Sequence, residues 1–156
     1  MTLPELVKTR LLGALGQKLL SVNILVHVFS EKKDTSPQQI GLFFDGCAPI
    51  RMYGGNNGAS LCVSLGDVVG VDLGEYGKQI VFCASSEPCF SSVVGRRLVS
   101  VSTIHSSVEN ELIGLFFLFD DEACLSILNL GDEIFVYGKI PEEIIAGEGL
   151  SLILLS

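Results

Sequence analysis

The side chains able to do chemistry are few. His27 and His105 are the only histidines, and Asp67 and Asp132 close two copies of a Leu-Gly-Asp step. A carboxylate beside an imidazole could transfer protons, and two carboxylates could hold a metal. The spacing supports neither. His27 and His105 follow matching Ser-Val steps, Ser21-Val22 and Ser100-Val101, but one residue out of step. A slip of one residue turns two strand side chains to opposite faces. Gly followed by Asp is also ordinary turn chemistry, in which Gly takes an unusual backbone angle and Asp caps its own turn. No G-x-S-x-G elbow, P-loop or H-E-x-x-H occurs. The five cysteines, Cys47, Cys62, Cys83, Cys89 and Cys124, include no C-x-x-C pair, so they read as reduced thiols acting as small hydrophobes. The expectation is a protein without catalytic residues, metal or cofactor.

The elements that carry these residues have a clear order. Thr2-Leu-Pro-Glu5 fits a capping box, and Leu3, Val7, Leu11 and Leu15 recur every four residues. This predicts a helix over 4–15 with Gly16 as its left-handed cap. Val22, Ile24, Val26 and Val28 then alternate with other residues, which is strand text. Further strands are expected at 39–44, 48–53, 60–64, 68–72 and 79–84, with Asp45-Gly46 as a hairpin and the Gly-rich 54–58 stretch as a flexible loop. Residues 85–92 read as a connector. Pro141 to Ile145 reads as one helical turn, and Leu150 to Leu155 as a closing strand buried on both faces.

Much of this text is written twice. Residues 40–44 and 113–117 both read Ile-Gly-Leu-Phe-Phe. Upstream, Gly16, Leu19, Ser21 and Val22 match Gly95, Leu98, Ser100 and Val101; downstream, Leu65-Gly66-Asp67 matches Leu130-Gly131-Asp132. Three blocks in one order imply duplication. The expected architecture is mainly β (α+β): two copies of an antiparallel β unit form a pseudo-symmetric sandwich or partly open barrel behind an N-terminal helix. The chain is one domain, 1–156, with unit one at 16–84, the connector at 85–92 and unit two at 94–156.

Charge divides unevenly between the copies. Residues 1–105 hold eight Asp/Glu against nine Lys/Arg, whereas 106–156 hold ten against Lys139 alone. An acidic field repels nucleic acid and favours a basic protein partner, and without Trp there is little to stack single strands on. The candidate binding residues are Asp120, Asp121, Glu122, Asp132, Glu133, Glu142 and Glu143, with several expected at one end of the unit. Solubility control in a chain of mean hydropathy +0.51 is the plainer role for the same acids. No run of about 20 apolar residues could span a membrane, and the first residues lack the order of a signal peptide, which predicts a cytoplasmic address.

The stretch from Ile113 to Glu143 (IGLFFLFDDEACLSILNLGDEIFVYGKIPEE) resembles small bacterial proteins encoded beside toxins. A Gly-led strand, an acidic hairpin and a Gly-Asp-Glu turn recur in them. The resemblance implies an immunity protein that binds and neutralises a toxin, such as one of nuclease type, without chemistry of its own. The alternatives are a structural module that oligomerises, for example as a homodimer, and a small ligand-binding or hydrolytic barrel.

Overall fold

The computed structural model describes residues 2–156. Helix α1 (Glu5–Gly13) leads into β1 (Leu19–Phe29), β2 (Lys32–Lys33), β3 (Gln39–Phe44), β4 (Ile50–Gly54), β5 (Leu61–Leu65), β6 (Val71–Asp72) and β7 (Lys78–Cys83). A short helix α2 (Pro88–Ser91) opens the second half. It is followed by β8 (Leu98–Ser106), β9 (Glu111–Phe119), β10 (Cys124–Asn129), β11 (Ile134–Tyr137), α3 (Glu142–Glu148) and β12 (Leu150–Leu154). None of the described helices is long and apolar enough to cross a membrane.

The strands form two antiparallel sheets. One has the order β5-β4-β3-β1-β7-β6, with β2 also on β1; the other has the order β11-β10-β9-β8-β12. Mapping β1, β3, β4, β5 and β7 onto β8, β9, β10, β11 and β12 turns the first order into the second. The chain is therefore a mainly β, two-sheet sandwich with a partly open barrel character, built from one strand order used twice.

The seam between copies shows the symmetry at atomic level. Gly16 N donates to the Leu98 carbonyl, and Gly95 N donates to the Leu19 carbonyl, both at 2.7 Å. Leu98 N donates to Gln17 O at 2.9 Å, and Leu19 N to Arg96 O at 3.0 Å. Lys18 and Arg97 form the bridge between them. Gly16 and Gly95 have φ of +82° and +88°, a backbone that side chains rarely adopt, so both glycines are needed to turn the chain into its strand. Each copy also has a helix before that glycine. The connector expected at 85–92 contains the second one, α2, whose Phe90 is buried like Val7 and Leu11 of α1.

A matched bulge follows in each copy. Leu19 faces Phe44 and Leu98 faces Phe119, with the register shifting before Ser21 and before Ser100. Phe44 is thus equivalent to Phe119, not to Phe117 as the repeated pentapeptide implies. The text match is two residues out of structural register. A two-residue slip keeps every side chain on its face, so the apolar pattern survives it. The equivalent rings stack, with centroids 6.4 Å apart and planes 13° apart, at the centre of a core drawn from both sheets.

Four further expectations are corrected. The helix starts at Glu5 with no side-chain cap, so Thr2 and Glu5 make no capping box. The third repeated block is not equivalent in the two copies. Leu65-Gly66-Asp67 follows the fourth strand of copy one, whereas Leu130-Gly131-Asp132 joins the third and fourth strands of copy two. The 54–58 loop is tied down rather than free, because Asn57 Oδ1 accepts from Ala59 N, Ser60 N and Ser60 Oγ. Finally, β12 is an edge strand. It pairs with β8 alone, and Leu152, Ile153 and Leu154 are 45%, 55% and 62% exposed. Its apolar text is the same as a buried strand's, so only topology shows that it has one strand neighbour among the described residues.

Candidate functional site

The two Leu-Gly-Asp aspartates lie in different settings. Asp67 Oδ1 accepts from Val68 N at 2.8 Å and folds over the outer face of the first sheet. A Cβ on Gly41 would stand 2.8 Å from that same oxygen, so Gly41 makes room for the turn. Gly131 and Asp132 have φ of +62° and +65°, and Leu130 N donates to Glu133 O at 2.9 Å. That is a two-residue hairpin turn of the mirror-image type, suited to strand twist. Both steps are turns, and they are not brought together.

The histidines also lie apart. His27 Nε2 is 2.7 Å from the Tyr76 carbonyl and its Nδ1 is 3.4 Å from Asp34. His105 Nε2 is 3.0 Å from Thr103 Oγ1, in a recess lined by Glu5, Lys8, Leu112 and Ile153. Burial pushes its pKa below the usual 6.5. As pH falls, the unfolded chain takes up this proton before the folded one does, so His105 carries no proton-linked cost above about 6.5 and opposes the fold below it. His105→Gln is expected to remove this term. The stability gap between the wild type and this variant should shift in the variant's favour from pH 7 to pH 5; a gap constant with pH counts against it. Among the thiols, Cys83 is exposed and held below its usual pKa by the Ser85 hydroxyl, while burial pushes Cys89 up.

The seven acidic candidates do not form one cluster. Asp120, Asp121 and Glu122 make the β9–β10 turn, Asp132 lies in the β10–β11 turn with Glu133 just after it, and Glu142 and Glu143 open α3. Successive turns of a meander lie at opposite ends of the shared strand, here the six residues of β10, roughly 20 Å long. The first group is also neutralised in part. Arg96 Nη1 is 2.8 Å from Asp121 and 4.0 Å from Asp120. Glu142 and Glu143 are exposed in the first turn of α3, where the helix end favours acids whatever their function.

Asp132 and Glu133 are different, because they line a groove. One cavity of roughly 530 Å³ runs between them, the 34–39 loop, Tyr53 and Gln79. A second of roughly 350 Å³ adjoins it along Asp34 to Pro37 and Ile134, with Ile24, Val26, Phe90 and Phe135 among its walls. Together they form a trough with an apolar floor and a polar mouth. Among the described residues its carboxylates are Asp34, Glu87, Asp132 and Glu133, and its one cation is Lys33, whose ammonium sits 4.1 Å from the centre of the Phe82 ring. Gln39 Oε1 beside the trough is buried without a hydrogen-bond partner among the described residues.

Sequence reasoning found Asp132 and Glu133 but missed Asp34 and Glu87. Asp34 lies in a loop whose two lysines cancel its charge, and Glu87 lies in the connector. Only the packing of the 34–37 loop and α2 against β11 brings them to the same trough. No group of three or more His, Cys, Asp or Glu side chains is placed to hold a metal among the described residues. No family model, curated protein or solved structure matches this chain.

Proposed function

We propose that this chain is a cytoplasmic, non-enzymatic protein-binding module of the immunity type, which neutralises a basic partner by covering part of its surface. The carrying observation is the trough, where four carboxylates surround an apolar floor with one engaged cation among them. An apolar centre ringed by charge is the usual anatomy of a protein interface, and a single sign of charge selects and steers the opposite sign. A basic surface built to grip phosphate, as on a nuclease toxin, has the complementary character.

The docking surface on this account is the Asp132–Glu133 end rather than the Asp120–Glu122 hairpin, whose charge Arg96 neutralises in part. Wild-type protein on beads is expected to retain a basic protein from extracts of its host, and beads carrying D132N/E133K should retain it poorly. Asn is used at 132 because it tolerates positive φ. Equal retention by both, or retention only of acidic proteins, counts against the proposal.

A second possibility, a self-assembling module, rests on β12. Its exposed Leu152, Ile153 and Leu154 lie on an open edge with no Lys, Pro or bulge to discourage pairing. Light scattering decides it: a mass that stays monomeric from micromolar to millimolar concentration eliminates this possibility.

A further inference from the structure

We propose that the trough accepts an extended, Lys- or Arg-bearing segment of the partner as an added strand on the free edge of β11. This rests on the protein-binding function above and names the partner's conformation. Among the described residues strand β11 pairs with β10 only, from Ser126 opposite Tyr137 to Asn129 opposite Ile134. In an antiparallel pair, alternate residues point their N–H and C=O groups away from the partner strand. On that far side, Ile134 to Tyr137 make no backbone hydrogen bond among the described residues. Consecutive residues Ile134, Phe135 and Val136 all line the trough, as a strand presenting its edge to a cavity would.

Charge and shape select the occupant. A strand laid along this edge would point alternate side chains toward Ile24, Val26 and Phe90, and the others toward the rim of Asp34, Glu87, Asp132 and Glu133. The matching segment alternates apolar and basic residues. Backbone hydrogen bonds would supply affinity and the two rows of side chains specificity, as in other strand-addition complexes. A second copy pairing β11 to β11 fits badly, because it would bring its own four carboxylates to the same place. With only four residues, β11 is also too short to encourage self-pairing.

The test uses the intact protein and a fluorescein-labelled peptide of four Lys-Val repeats. Saturable binding with a Kd below about 1 mM is expected, together with slowed amide exchange at Ile134 to Tyr137. A peptide N-methylated at every residue has no amide hydrogen on either edge, cannot pair as a strand and should bind at least tenfold more weakly. No saturable binding below about 1 mM overturns the proposal, as does protection appearing at β12 instead. If the methylated peptide binds as well as the parent but D132N/E133Q still weakens both, strand addition fails while acidic docking stands. If D132N/E133Q changes nothing, acidic docking fails as well. Protection of β11 that grows with protein concentration in the absence of peptide would identify a second copy as the occupant and also overturn the proposal.

Discussion

Phe44→Ala lowers the unfolding free energy by about 3–5 kcal/mol, read from urea denaturation. Phe44 is fully buried, and its ring meets both Phe117 and Phe119 at centroid distances of 6.4 Å. Truncating it removes apolar area and leaves a cavity between two sheets that are each held in register by hydrogen bonds, so neither can close in freely. Some aromatic contact energy is lost as well. Domains of this size have about 5–15 kcal/mol of stability in total, so the loss is a large fraction of it. The neighbouring Phe43 is the internal control. It points to the other face and is 39% exposed, and Phe43→Ala should cost about 1 kcal/mol or less. Equal losses at 43 and 44 would mean that the equivalent rings at the seam do not anchor the core.

Gly114→Ala should cost about 1–3 kcal/mol, and Gly41→Ala distinctly less, although both glycines stand second in the same pentapeptide. Neither has positive φ, so backbone conformation is not the reason. The reason is what a methyl group would meet. At 114 it would sit 2.5 Å from the Ile127 carbonyl oxygen and 3.2 Å from side-chain carbons of Ile104 and Leu128. That carbonyl belongs to a strand paired on both sides, so relief requires moving sheet backbone. At 41 the nearest obstacle is the Asp67 carboxylate, a side chain that can swing away. Thermal unfolding of the two variants checks the ranking, and a larger loss at 41 would contradict it.

These two cases show what the sequence could reveal. Alternation in 22–28, the glycines at 16 and 95, and the repeated pentapeptide were enough to predict two antiparallel β units behind a helix. That information is local and periodic, and burial enforces it. The two-residue slip between pentapeptide and register was not legible, because a shift by one strand period leaves the apolar pattern unchanged. The exposure of β12 was hidden for a related reason: an apolar strand reads the same whether it has one neighbour or two. The trough was half legible. Asp132 and Glu133 stood out within an acidic run, whereas Asp34 beside Lys32 and Lys33 gave no excess charge. Its membership depends on the loop after β2 lining the same cavity as β11, a juxtaposition of residues about a hundred positions apart.

The most direct test of docking through the trough compares two matched charge changes by titration with the purified partner. D132N/E133K and D120K/D121N each shift the net charge by the same amount and each place Asn at the residue with positive φ. The first is expected to weaken binding about tenfold or more and to flatten its dependence on salt; the second should stay within about threefold of the wild type. Equal weakening by both, or a larger loss from the Asp120–Asp121 pair, would contradict the trough as the docking surface.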